Sequence, residues 1–504
     1  MNERRLCGAV FAASLLLYLS FRSLFFNFDG IACAIAVELS DFNHLVHGNH
    51  LAYGVVGWLF DRAWRLFGYG GRAILPLQVL DSILGAAGAA VFASLLRRSG
   101  RSEREAALGA AALAVSQAWW FWSLEAQVYM LGALFAGLAA REALAEKPRP
   151  AVAGVWLACA VLGHAGHMTA LPALAWILTR KGGRKTLAPL AAALAAVLLA
   201  AYAAAWLFAV RPHSLEGLRL WLLGSAALSV DRAFRWHFPV WAEAVPSWTK
   251  MTLRIFCEFT GRSGLAWTAG VALAALPLAA AARGAVRGGR EARFWLFWLA
   301  GYASLYITWE PETIVYRVSD LLGLWALALL GLQSLSSRGR AALLATWTAA
   351  ACAYNLAYTV RPAADPASNA DYVETNWVAA HAPSGAWVIA TSRNAVYHPY
   401  FADLKPVNLR YYPDPTALYA RLDALAASGA AVYVTDRTLD RMGLLPELAS
   451  YGLDQTAAGD GLTLYRVARQ PAGTPASKTA RARSAARAAS TGREPGAGAS
   501  TRRK

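Results

Sequence analysis

Asp29, Glu38, Asp41 and Asp61 lie on a stretch, Ser23 to Asp61, that holds no Lys or Arg, although the chain carries 48 of them and a formal charge of +17. Three histidines, His44, His47 and His50, share the stretch. A carboxylate at a membrane surface can stay ionised and act as a general base. Asp29 suits that role. It follows an apolar run, Leu6 to Phe26, and precedes Gly30, which lets the backbone turn. Asp also favours turns with no chemistry attached. Glu38 and Asp41 read as supporting acids or turn residues. His44, His47 and His50 recur at every third position, so on a helix they would spread along one face. Two of them with Asp41 could hold a divalent cation, the candidate cofactor. The alternative is hydrogen-bonding loop histidines near lipid headgroups.

More polar groups stand at the mouths of later apolar runs. Glu125 lies in WWFWSLEAQVY, residues 119–129, whose aromatics suit an interfacial belt. An acid at that depth needs a cavity or a partner. His164 and His167 flank Gly166, and either pair helices or line a polar cavity shared with Glu125. Glu310, Glu312, Arg317 and Asp320 cluster in WEPETIVYRVSD. Arg317 could grip a lipid phosphate, since guanidinium matches phosphate geometry, or close an internal pair with a glutamate. Arg232, Arg235 and His237 could do similar work in the segment 211–263.

The elements that would position these residues are membrane spans. The 504-residue chain is 57% hydrophobic and 16% charged, with a mean hydropathy of +0.35. Apolar stretches of about 20 residues, enough for a ~30 Å hydrocarbon core, recur up to about residue 359. Short Arg clusters separate them, as at Arg97-Arg98 and around Arg141 to Arg149. That distribution follows the positive-inside rule and argues against nucleic acid as the partner. Putting every basic loop in the cytoplasm predicts about eleven spans. They fall at 6–26, 73–96, 106–122, 126–144, 151–164, 167–179, 187–210, 264–283, 294–309, 318–335 and 341–359. Outer loops then cover 27–72 and 211–263, with 51–67 lying at the interface. All nine histidines fall on the outer side of this topology, which was drawn without them. The localisation expected is a bacterial inner membrane, multi-pass, with a cytoplasmic N-terminus. Five cysteines with no CxxC or Cys/His spacing predict neither a disulfide framework nor structural zinc.

The transmembrane part therefore covers 1–359. Residues 360–470 read as a small extracytoplasmic α/β domain. Its expected strands are Ala386–Thr391, Ala430–Thr435 and Leu462–Val467, and its expected helices Asp371–Ala380 and Pro415–Ala427. Residues 471–504, with eight basic residues and one acid, read as a disordered tail.

The order of these motifs resembles the GT-C superfamily of polyprenyl-phosphate-sugar glycosyltransferases. The likeness is nearest to the DUF2723 group, which includes protein O-mannosyltransferase-like enzymes. Asp29-Gly30 stands near that group's first-loop acidic motif. Gln127-Val128-Tyr129-Met130-Leu131-Gly132 stands near its Glu-Val-Tyr-x-Leu-Asn motif, and Gly166-His167-Met168-Thr169 near its Asn-His-x-Thr motif. The likeness covers roughly residues 1–180. Gln127 replaces Glu, Gly132 replaces Asn, and no Glu follows Asp29. The resemblance implies a sugar carried on polyprenyl phosphate and an extracytoplasmic acceptor, protein or envelope glycan or lipid, deprotonated by Asp29. Glu125, His164, His167, Arg235 and Arg317 would bind substrate. A transporter for lipid-linked sugar and a non-enzymatic envelope assembly factor are the alternatives. A transporter needs polar residues through the middle of several spans, and these are mostly Ala, Leu and Val.

Overall fold

The fold comes from a computed structural model, which describes residues 2–211, 214–223, 241–391, 393–412, 415–442, 448 and 451–469. The chain divides into two compact units between Ser368 and Asn369.

The first unit is helical. In chain order it begins α1 (Glu3–Leu19), α2 (Phe28–Leu39), α3 (Phe42–Leu45), α4 (Leu51–Leu66) and α5 (Ile74–Arg98). It continues α6 (Glu103–Val115), α7 (Gln117–Trp122), α8 (Tyr129–Leu144), α9 (Pro150–Gly163), α10 (Leu171–Gly182) and α11 (Leu187–Ala205). Further on come the helices Trp241–Arg254, Gly264–Arg287, Gly289–Trp309, Asp320–Gly331 and Ser337–Asn355. α5 is the central element, packed against α1, α6 and α8. The helices Gly264–Arg287 and Asp320–Gly331 cross closely because Gly284 faces the Leu327 carbonyl and Gly331 faces the Ala280 carbonyl, leaving no room for a Cβ at either.

Among the described residues, three helices are long and apolar enough to cross a membrane: Ile74–Arg98, Arg184–Val210 and Gly264–Arg287. Pro150–Gly163 and Asp320–Ser334 are apolar but shorter. Helix bounds depart from the expected spans at two places, and local causes are visible. The stretch 106–122 is divided at Ser116, whose backbone is extended (φ −61°, ψ 136°). The Ser116 hydroxyl donates to the Ala112 carbonyl at 2.8 Å and accepts from the Trp325 indole at 3.0 Å. The first helix stops at Leu19 and not near Phe26, because residues beyond it are bound to other loops. The Leu24 amide, for example, donates to the Ala363 carbonyl at 2.7 Å.

The second unit carries a five-stranded sheet: β1 (Trp387–Ala390), β2 (Lys405–Asn408), β3 (Val432–Thr435), β4 (Tyr451–Gly459) and β5 (Leu462–Arg469). The strand order is β2-β1-β3-β5-β4. β1 runs parallel to β2 and β3, whereas β5 runs antiparallel to β3 and β4. Ile389 and Val434 pack on one face with Leu418 and Leu422, and Val388 and Tyr433 pack on the other with Trp377 and Val378. Burial on both faces explains why β1 and β3 are continuous apolar runs in the sequence.

Candidate functional site

The loop between α1 and α2 carries the residues at issue. Asn27 caps α2, its side chain accepting from the Asp29 amide at 3.0 Å. Asp29 sits exposed in the first turn of that helix, where the dipole favours negative charge. The side chain's electrostatic influence reaches Cys33, Tyr129 and Tyr316. Phe26 turns the chain into α2 with φ at +47°, a left-handed conformation that costs an aromatic residue about 1–3 kcal/mol.

Glu125 holds that turn. It is fully buried, in the loop between α7 and α8. One carboxyl oxygen accepts from the Ser23 hydroxyl and the other from the Asn27 amide, at 2.9 Å, so the carboxyl straddles Phe26. Burial holds its pKa up at about 7, against the lowering pull of these two hydrogen bonds. Gln78 of α5 adds a donor to the Ser23 carbonyl at 2.9 Å. Gly30 packs on the Ala126 carbonyl, with no space for a Cβ. The next amide, Gln127, donates to Asp81 of α5 at 3.0 Å, and Asp81 also accepts from the Tyr53 hydroxyl. The segment 123–127 is thus gripped from the α2 side and the α5 side at once.

Beside it the structure gathers histidines and tyrosines. His164 lies 4.9 Å from Tyr129 and 6.0 Å from Tyr316, ring centre to ring centre. Tyr129 lies 5.5 Å from Tyr316, which stacks on Tyr306 at 4.9 Å. His167 is buried, with its Nδ1 2.6 Å from the Tyr302 hydroxyl. Gly132, where the resemblance has Asn, packs against the His167 ring in a space that excludes a Cβ. His47 stacks on His50 at 4.3 Å, and the Ala165 amide donates to the Asn49 carbonyl at 2.7 Å, so the loops 47–50 and 164–167 meet.

Other expected site residues lie elsewhere. Glu38 closes α2, nine residues after Asp29, a rise of ~14 Å. It accepts from Arg72 at 3.0 Å and from the Ala73 amide at 2.8 Å, which ties α2 to the start of α5. Asp41 pairs with His44 at 2.6 Å, while His47 belongs to the stacked pair with His50. The three do not converge. Among the described residues no group of three His, Cys, Asp or Glu side chains could hold a metal ion. Arg317 is 1% exposed and ion-paired to Asp320. It donates to the Trp248 carbonyl at 3.1 Å and to Thr252 at 2.9 Å, and lies 4.2 Å over the Trp248 ring. Its partner is thus an aspartate three residues on, where a glutamate was expected. Arg235, with Arg232 and His237, lies outside the described residues.

Sequence reasoning passed over Ser23, Asn27, Asp81, Tyr302, Tyr306 and Tyr316. Asp81 carried a usable signal, because an acid inside an apolar span is a functional candidate by default. The tyrosines carried none, since aromatics recur throughout the chain.

No protein-family model matches the chain, and no curated protein matches it. A weaker likeness among solved structures is to the cryo-EM structure of arabinofuranosyltransferase AftD from mycobacteria. Identity there is 18% and the TM-score 0.47, over 93% of this chain and 40% of that one. A stronger one is to the crystal structure of ArnT from Cupriavidus metallidurans bound to undecaprenyl phosphate. Identity is 13% and the TM-score 0.60, over 92% of this chain and 97% of that one. At such identity the likeness is one of fold: the chain has an ArnT-like fold, a helical bundle followed by a small C-terminal sheet.

Proposed function

We propose that this protein is an integral-membrane glycosyltransferase that moves a sugar from a polyprenyl-phosphate carrier to an extracytoplasmic hydroxyl, with Asp29 as the general base. The observation that carries this reading is the exposed Asp29 carboxylate on a buried, clamped turn, within electrostatic reach of Tyr129 and Tyr316, in a fold like that of ArnT. The ArnT structure holds undecaprenyl phosphate, and a polyprenyl phosphate suits the chemistry. Asp29 takes the acceptor proton, the acceptor oxygen bonds to the sugar C1, and the bond from C1 to the phosphate oxygen breaks. The carrier leaves as a phosphate anion, so positioning, a base and nearby positive charge suffice.

Each neighbour then has a task. Glu125 fixes the turn that presents Asp29. Tyr129, Tyr316 and His164 form a wall of rings and hydroxyls against which a sugar can pack. His164 and His167 bind by hydrogen bonds. Arg317 directs its donors to protein groups, and Arg235 is the candidate charge for the phosphate. Glu38 supports the site through α2. The motifs favour the DUF2723 group, and the basic clusters favour an inner membrane with the site on the extracytoplasmic side.

Asp29→Asn in the full-length reconstituted protein is expected to abolish transfer of radiolabelled sugar from a polyprenyl-phosphate donor, with expression and membrane insertion unchanged. Full transfer by this variant would remove Asp29 as the base. Movement of the labelled lipid across vesicles with no transfer by the wild type would point to a transporter.

A further inference from the structure

A second constellation lies where α1 starts and α5 and α8 end. A cavity of about 430 Å³ opens there, lined by Arg4, Arg98 and Arg141 at its charged side and by Cys7, Ala90 and Val91 at its apolar side. We propose that this cavity binds the headgroup of an anionic phospholipid. The phosphate would sit among the three guanidiniums, and the first carbons of an acyl chain would run past Val91 and Ala90.

Charge is the first argument. The lining holds three arginines against one acid, Glu3. Glu3 is engaged already: it accepts from Ser94 at 2.6 Å and from Arg98 at 3.4 Å. Behind the cavity, Glu142 is fully buried and receives Arg141 at 2.7 Å, Arg149, and Arg98 at 3.7 Å. Counting Glu142 and Arg149 leaves the excess at two positive charges. Arg98 and Arg141 both act electrostatically on Glu3 and Cys7, so their charges converge on the same space. An uncompensated pair of charges beside hydrocarbon is costly, and a phosphodiester supplies the missing anion. Guanidinium groups offer paired N–H donors that match phosphate oxygens.

Shape is the second argument. Ala90 lies eight residues before Arg98 on α5, a depth of ~12 Å from the charged rim. A free phosphate has no use for that apolar floor, whereas a lipid does. Arg4 is exposed and takes part in no ion pair among the described residues, so it is free to close over a headgroup. By the positive-inside rule this end faces the cytoplasm, where anionic lipids collect at basic sites between helices.

The test uses delipidated full-length protein in detergent, titrated with phosphatidylglycerol or phosphatidylcholine and read by native mass spectrometry. Wild type is expected to bind phosphatidylglycerol at least tenfold more tightly than phosphatidylcholine. Arg4→Gln is expected to weaken phosphatidylglycerol binding about tenfold, the loss of one charge-assisted contact. Val91→Trp, which fills the apolar floor, should weaken it as well. Arg338→Gln, which removes an exposed arginine elsewhere, should leave it unchanged. The proposal fails if the two lipids bind alike, or if Arg4→Gln and Val91→Trp both bind as wild type. It also fails if millimolar inorganic phosphate displaces the lipid, which would show a free-phosphate site.

Discussion

Glu125 is the side chain that ties the proposed base to the bundle, and its protonation has a measurable consequence. Its pKa stands at about 7 in the fold against 4.5 as the ordinary value. At acid pH, below both values, the folded and unfolded chains are equally protonated and the group costs nothing. Between about pH 4.5 and about pH 7 the unfolded chain releases the proton while the fold retains it, so stability falls as pH rises through that window and levels off above it. Other buried acids with raised values, such as Glu374, slope the same way. The difference between wild type and Glu125→Gln isolates this group. Melting temperatures in detergent should show a shallower fall with pH for the variant. Identical slopes would mean that Glu125 is already ionised at low pH. The same substitution replaces one acceptor of the clamp by an amide, so transfer should drop about tenfold or more while membrane insertion persists.

Two glycines set how closely the elements of the site approach. Gly30 brings α2 onto the Ala126 carbonyl, and Gly132 brings α8 onto His167. Gly30→Ala should cost about 1–3 kcal/mol and shift Asp29, lowering both melting temperature and transfer. Gly132→Asn would restore the residue that the resemblance suggests, yet it should destabilise the protein by a similar amount, because His167 fills the space. Thermal denaturation of the two variants checks both expectations. The elements themselves were unevenly legible. Most of the segment 51–67 forms α4, and the apolar runs of the second unit form β1, β3 and β5, because burial writes a hydrophobic pattern directly. β2 and β4 escaped notice. β2 is four residues long, contains Pro406 and lies half-exposed at one edge of the sheet; β4 forms the other edge, with exposed polar residues Asp454, Gln455 and Thr456 at its centre. The division at Ser116 and the early end of α1 were invisible because distant partners, Trp325 and Ala363, decide them. Asp29, Glu125, His164 and His167 could be named from charge and depth alone. Tyr302, Tyr306 and Tyr316 could not, since only the tertiary fold selects them from 19 tyrosines.

At the scale of the whole molecule, two separate cores predict two separable responses. In the second unit, Glu374 is buried at the ends of β1 and β3, where it accepts from Thr435 and from Asn394 at 2.9 Å and pairs with Arg437 at 3.2 Å. Glu374→Ala strands these partners and should cost about 3 kcal/mol. Limited proteolysis should then cut residues beyond Asn369 faster and leave the helical unit as it was. The helical unit has its own asymmetry. The apolar window of Ile74–Arg98 is 72% buried, against 11% for Arg184–Val210 and 22% for Gly264–Arg287. The most enclosed helix is also one of the first to be synthesised, and it carries Gln78, Asp81 and Ser82 inward. Ser23 and Tyr53, partners of Gln78 and Asp81, emerge from the ribosome before α5, whereas Ser123 and Gln127, partners of Ser82 and Asp81, emerge after it. During biogenesis α5 must therefore wait in the translocon or the bilayer with its acid half-satisfied until α7 and α8 arrive. Nascent chains truncated before Ser123 should be cleared by quality-control proteases faster than chains extended past Leu144, and Asp81→Leu should narrow that gap.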